Sequence, residues 1–174
     1  MLSGGVSIER WTGGAGEQAG FDGRTETANS HIATLVECQT RYVLLVKVAG
    51  KGSPGVVDAL VAQVQTLPRQ LWAGLTWDRG AELAAHRRFT IATDVAVYFC
   101  DPRSPWQRGT NENTVNGLLR DYFPKWTNLS IYTQADLDAV AARLNTRPRK
   151  TLDYQTPAAM LAAIVASTPL NPPP

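Results

Sequence analysis

Two short blocks constrain this chain more than anything else in it. Leu75-Thr76-Trp77-Asp78-Arg79-Gly80 is an apolar and aromatic run that stops at an acid followed closely by Gly. So short a run, bounded by a turn signal, reads as a buried strand rather than a helix. Downstream, Ser104-Pro105-Trp106-Gln107-Arg108-Gly109-Thr110-Asn111-Glu112-Asn113 ends in a carboxylate between amides and opens an amphipathic stretch. An acid at a strand end and another at the start of a later helix is how an α/β sheet presents a divalent-metal site. Taken singly, each acid has a plainer reading. Asp78 is equally a solvated turn aspartate, and Glu112 equally an acid that favours a helix N-terminus.

The rest of the chain reads as elements to hold those blocks. His31–Glu37 and Arg41–Val48 are β-rich runs around a polar Cys38-Gln39-Thr40 turn, which predicts an antiparallel hairpin. Ser53-Pro54 suits a helix start, and Val56, Val57, Leu60, Val61, Val64 and Leu67 follow at helical spacing up to Pro68. After the strand at Leu75–Asp78 come a short helix over 81–88, a buried strand over 95–100, a loop over 101–109, and helices over 111–122 and 134–144. Trp77, Tyr98 and Phe99 are expected in the core, with Trp106 left open. Residues 1–28, rich in Gly, Ser, Thr and Glu, read as a poorly ordered leader, 29–166 as the core domain, and 167–174 as a disordered Pro-rich tail. This order predicts an α/β fold, a mixed sheet flanked by helices on both faces.

Composition narrows the function class without naming it. The chain has 174 residues, 44% hydrophobic and 18% charged, enough for one domain with a proper core. No apolar run approaches the roughly 18 residues of a membrane span, and the N-terminus lacks a signal-peptide layout, so no membrane partner is expected. Cys38 and Cys100 lack zinc-site spacing and read as reduced thiols of a cytosolic protein. His31 and His86 read as structural. A formal charge of +2 is too small to argue for a polyanionic partner by itself.

Several blocks together carry a family likeness. LTWDRG, VYFCDP, SPWQRG, NENT, GLLR and RLNTRPRKTL resemble the insertion-sequence-thirty family of D-D-E transposases and integrases, from about Asn29 to Met160. The resemblance implies a ribonuclease H-like fold of the retroviral-integrase type. It implies DNA transposition by metal-dependent phosphodiester cleavage and strand transfer, with Mg²⁺ or Mn²⁺ as cofactor. Transposon ends and target DNA would be the partners, in the cytoplasm at the nucleoid, with a homo-oligomer left open. Asp78 and Glu112 match two of the three expected catalytic and metal-binding acids. The third falls by position at Asp22, although Gln18–Phe21 and Gly23–Thr25 around it lack the family's pattern and any β-period.

The same likeness assigns DNA contacts to Arg108, Asn111, Arg120, Arg147, Arg149 and Lys150. Arg and Lys recognise backbone phosphates without reading sequence, although any one of them is as readily ordinary solvated charge. Two departures stand out. Residues 1–28 offer no helical periodicity for the DNA-reading helix-turn-helix of the family. Val115 is an extra residue between Thr114 and Asn116, and one residue turns a helix by about 100°. That shift is expected to rotate Arg120 away and to force Leu118, Leu119 and Tyr122 into a new register. The alternative function is therefore an inactive remnant that binds DNA weakly and without sequence preference. A ribonuclease acting on RNA–DNA hybrids is a more distant reading, which the SPWQRG block disfavours.

Overall fold

The computed structural model describes residues 6–11, 30–49, 53–66, 74–77, 86–99, 115–124 and 128–167. Its centre is a five-stranded sheet in the order β3-β2-β1-β4-β5. These strands are β1 (Val6–Trp11), β2 (Ser30–Glu37), β3 (Val43–Ala49), β4 (Leu75–Trp77) and β5 (Val97–Phe99). Strand β2 runs antiparallel to both β1 and β3, while β1, β4 and β5 are mutually parallel neighbours. The sheet is mixed, as the order of elements predicts.

The hairpin forms where the alternating runs place it, and Glu37 closes its turn. The Glu37 carboxylate accepts from the Gln39 and Thr40 amides and from the Thr40 hydroxyl, and its own carbonyl accepts from Arg41 N–H. Arg41 takes φ 60° to complete the reversal. Glu37 is only 6% exposed, so these bonds replace the water it loses. Burial, then the charge of Glu37, raises the pKa of the half-buried Cys38 thiol, with Arg41 opposing. A thiol so shifted is a poor nucleophile at neutral pH.

Period-2 alternation sorts the sheet residues onto two faces. On one, Ala33, Leu35, Leu44, Val46 and Val48 pack with Leu75, Val95 and Phe89, under Val56, Val57, Leu60 and Val64 of helix α1 (Ser53–Val64). Phe89 belongs to α2 (His86–Thr93). The described part of that helix runs on past the 81–88 span expected, and residues 81–85 of that span lie outside the described residues. Its anchor is the fully buried Phe89, whose carbonyl also accepts from the Thr93 hydroxyl.

On the other face Ile32, Val36, Val43 and Leu45 meet two helices, α3 (Val115–Tyr122) and α4 (Gln134–Asn145). Leu119, Phe123, Leu137, Ala141 and Leu144 fill that side, and Phe123 meets Tyr132 edge-on at 5.0 Å. Each such Leu or Phe contributes roughly 1.5–3 kcal/mol by leaving water. Helix α4 starts as a capping box: Thr133 accepts from the Asp136 amide, and the Asp136 carboxylate accepts from the Thr133 amide and hydroxyl.

Helix α4 also completes the sheet edge. Strand β3 has β2 on one side only, yet four of its outward backbone groups are occupied. Asn145 accepts from Val43 N–H and donates to Val43 C=O, both at 2.8 Å. Gln134 accepts from Lys47 N–H and donates to Leu45 C=O. Two side-chain amides thus do what a neighbouring strand would do for an edge.

Three sequence expectations are corrected here. Strand β1 lies within residues 1–28, read as a poorly ordered leader, and it sits in the middle of the sheet. Six residues flanked by unpatterned chain give too short a signal, and pairing on both sides supplies what periodicity did not. Tyr98, expected in the core, is 61% exposed, because β5 is the last strand of the sheet. Its ring nevertheless covers Gly74, where an added Cβ would come within 2.8 Å of it. Helix α5 (Pro157–Ser167) was not expected at all; Leu161 and Ile164 bring it against the α1 face.

Candidate functional site

The site begins with backbone placement. Asp22, Asp78, Arg108, Asn111 and Glu112 lie outside the described residues. The described strand β4 ends at Trp77, the residue before Asp78, and α3 begins at Val115, three residues after Glu112. Among the described residues no three His, Cys, Asp or Glu side chains group closely enough to hold a metal ion.

An acid that sequence reasoning passed over stands on the central strand. Glu9 is on β1, paired with Thr34 of β2 and two residues beyond the Ser7–Thr76 pair that joins β1 to β4. The signal that could have found it was the run Val6-Ser7-Ile8-Glu9, whose alternation is clear once a strand is allowed there. Register does the rest. Position 9 is opposite Thr34, and Thr34 lies between Ile32 and Val36 on the face that α3 and α4 cover.

Thr34 itself is unusual. It is 1% exposed, and its hydroxyl has no hydrogen-bond partner among the described residues. A buried hydroxyl left without a partner costs roughly 1–3 kcal/mol. Its other direct cross-strand neighbour, Leu45, has no side-chain acceptor. The sheet therefore holds one unspent donor beside an acidic position, close to the strand end from which Asp78 follows.

Helix α3 bears on the reading of Val115. Leu119 and Phe123 are buried in the core and Leu118 and Tyr122 pack against them. The described part of the helix begins at Val115, ahead of the turns that carry Leu119 and Phe123. In the register this helix takes, Leu119 faces the core and Leu118 and Tyr122 flank it. Arg120 is exposed on this helix.

The cations of the C-terminal cluster divide into two kinds. Arg147 and Lys150 are exposed, and Arg147 approaches Asp121 of α3 at 3.8 Å. Arg149 is only 8% exposed, and its Nη2 donates to the Leu144 carbonyl at the end of α4. Its backbone N–H and C=O tie down the turn through Gln155, Leu152 and Tyr154. Burial, and next the neighbouring Arg147 charge, lower its pKa from the ordinary value. Arg149 is thus held inside the fold with its Nη2 on a helix-end carbonyl, as Arg cations near a helix C-terminus often are, while its buried Nε has no partner among the described residues.

Comparison with known proteins gives the family. The chain is 58% identical over 142 residues to the transposase InsI of insertion sequence element IS30A from Escherichia coli K12. That match covers 82% of this chain and 37% of the relative. It is 49% identical over 138 residues to the transposase of IS1086 from Cupriavidus metallidurans, covering 79% of this chain and 40% of that one. The transposase of IS4351 from Bacteroides fragilis is 36% identical over 126 residues, covering 72% of this chain and 38% of that protein. The chain thus spans somewhat over a third of the length of these relatives. The catalytic core domain of BIV integrase has the same fold, with a TM-score of 0.62 at 16% identity over 94% of this chain and 96% of that one. No protein-family model matches. The fold is the ribonuclease H-like integrase core, and the chain belongs to the IS30 family of transposases.

Proposed function

We propose that this chain is a catalytic-core segment of an IS30-type transposase and cleaves and joins DNA phosphodiester bonds with the help of divalent metal. The observation that carries the reading is the 58% identity to a transposase over four-fifths of the chain. Its substrates would be transposon ends and target DNA, met in the cytoplasm at the nucleoid. No helix among the described residues is long and apolar enough to cross a membrane, which agrees with a partner reached from water.

Asp78 and Glu112 are the first two metal-binding acids of this proposal. For the third, Glu9 of β1 stands beside Asp22 as a candidate, because β1 pairs in parallel with β4, the strand whose last described residue, Trp77, precedes Asp78. Three carboxylates are hard oxygen donors of the kind Mg²⁺ or Mn²⁺ takes, so the donor set fits the ion. Bound there, two such ions would activate the attacking oxygen and stabilise the leaving one. Without cations, clustered acids repel and raise one another's pKa, so the site favours metal binding. Phosphates would be met by Arg108, Asn111, Arg120, Arg147 and Lys150. Arg149 would support this surface from beneath, by fixing the turn that carries its two exposed neighbours.

Nicking of supercoiled DNA and strand transfer of labelled element ends, with Mg²⁺ or Mn²⁺, test the proposal directly. Activity is expected from the chain and lost in Asp78→Asn and Glu112→Gln. Loss in Glu9→Gln but not in Asp22→Asn would select the β1 acid; the reverse would restore Asp22. The inert-remnant reading draws on Val115, which stands between Glu112 and the packed turns of α3. It predicts salt-sensitive DNA binding with no cleavage by any of these proteins.

A further inference from the structure

We propose that Tyr154 is a DNA-contacting residue: its exposed ring stacks on an unpaired base of a strand whose phosphates Arg147 and Lys150 hold. This rests on the reading above that the chain acts on DNA, and it adds an aromatic contact to the phosphate contacts named there.

Tyr154 occupies a backbone conformation that does not suit it. Its φ is 63° and that of Asp153 before it is 50°, so two successive residues are left-handed. Aspartate tolerates that region, whereas a bulky side chain there is a rarity. The turn itself dictates the conformation. The Arg149 carbonyl accepts from Leu152 N–H and Tyr154 N–H, both at 2.9 Å, and Arg149 N–H donates to the Gln155 carbonyl at 3.0 Å. Glycine or asparagine would fill such a place at less cost. Nor does the ring serve the core, since Tyr154 is 70% exposed. Strain kept at a residue that packs so little is a feature of sites that contact a ligand.

The neighbouring charges indicate which ligand. Between Arg143 and Thr156 four cations stand against one acid, Asp153. Arg143, Arg147 and Lys150 are exposed. The Tyr154 amide donates to the carbonyl of the peptide that joins Arg149 to Lys150, so Tyr154 and Lys150 leave the same turn. Arg147 has Asp121 at 3.8 Å, but both side chains are about half exposed or more, and a pair so solvated yields readily to phosphate. Arg147 also lies near enough to the buried Arg149 for its charge to lower that pKa, after burial itself. A polyanion relieves that repulsion between guanidiniums. An aromatic face beside cations is how proteins hold a single strand, with a base on the ring and the phosphates on Arg and Lys. A base within a duplex is already stacked on its neighbours, so the strand is unpaired where Tyr154 meets it.

The test is fluorescence anisotropy of labelled DNA with the 174-residue chain. Its three probes are a short single strand, an abasic strand of the same length, and the blunt duplex. The parent should bind the single strand about fivefold or more tighter than the abasic strand, the contribution of one stacked base. Tyr154→Asn should remove that preference, leave abasic-strand and duplex affinity unchanged, and melt no lower than the parent, because it relieves the left-handed strain. Tyr154→Phe, which keeps the ring, should bind as the parent does, and Tyr154→Leu should bind as Tyr154→Asn does. Arg147→Ala with Lys150→Ala should weaken both strands alike. Should Tyr154→Asn fail to fold, Tyr154→Gly makes the same comparison. If the parent binds DNA without a preference for bases, or if Tyr154→Asn keeps that preference, the role of Tyr154 is overturned and the DNA reading stands. Loss in Tyr154→Phe as well would assign the contact to the hydroxyl and overturn stacking. If the parent binds none of the three probes, the DNA reading falls, and the role of Tyr154 with it.

Discussion

The two halves of strand β2 treat buried polar groups in opposite ways. At the hairpin end Glu37 is enclosed and its carboxylate receives three hydrogen-bond donors, while helix α4 spends Asn145 and Gln134 on the open edge of β3 next door. Three residues before Glu37, in the middle of the sheet, Thr34 is equally enclosed and its hydroxyl receives and gives nothing among the described residues. The Arg149 Nε is the other buried side-chain donor left without a partner among the described residues. The lesson is that the hairpin end satisfies its buried polar groups fully, whereas the sheet centre bears the cost of one buried hydroxyl.

That comparison can be broken most forcefully at Asn145. Asn145→Ala leaves Val43 N–H and C=O without partners in a buried setting, and should destabilise the chain by about 3 kcal/mol, counting 1–3 kcal/mol for each group. Chemical unfolding would show it as a lower midpoint at unchanged slope. A loss below about 0.5 kcal/mol would mean that water serves this edge and that the contrast with Thr34 is overdrawn.

Next in size is the division within the C-terminal cations. Arg149→Met should cost about 1–2 kcal/mol, because the Leu144 carbonyl loses a charged donor. Arg147→Ala and Lys150→Ala should leave stability within about 0.5 kcal/mol. For DNA the order reverses. Losing Arg147 and Lys150 should weaken binding alike across sequences and flatten the salt dependence by up to about one unit per lost phosphate contact. If Arg149→Met flattened the salt slope while leaving stability intact, its guanidinium would have to reach phosphate.

A smaller effect sharpens the picture of α4 as a saturated element. The Thr133 amide and hydroxyl bonds hold the Asp136 pKa below the ordinary aspartate value. A depressed acid contributes stability that is present above its unfolded pKa and lost as pH falls through its folded one. Melting temperature should therefore decline below about pH 4, and Asp136→Asn should blunt that decline. An equally steep acid limb in the variant would assign it to other carboxylates. Smallest of all should be deletion of Val115, which shortens α3 at its first turn and leaves Leu119 and Phe123 in place. A change in melting temperature beyond a few degrees, in either direction, would show that the helix start matters to the core.

The hairpin, α1, α4 and the strands at 75–77 and 97–99 were legible in the chain itself, because each buries one face or a short apolar run and writes that in its spacing. The family was legible too, from blocks such as LTWDRG and RLNTRPRKTL. Strand β1 was not, since six residues with two aliphatics carry little signal until β2 and β4 pair with them on both sides. Helix α5 escaped because Ala158, Ala159, Ala162, Ala163 and Ala166 give no apolar period to read.

What the sequence determined by itself was the class of fold and the acids near a strand end and a helix start, which depend on residue type and local order. Only the tertiary structure decided that β1 enters the sheet between β2 and β4, that position 9 pairs with Thr34, and that Arg149 is buried while Arg147 and Lys150 are not. The reason is physical. Register and burial are set by pairing and packing between segments far apart in the chain, and a one-residue slip would send every side chain of a strand to the other face.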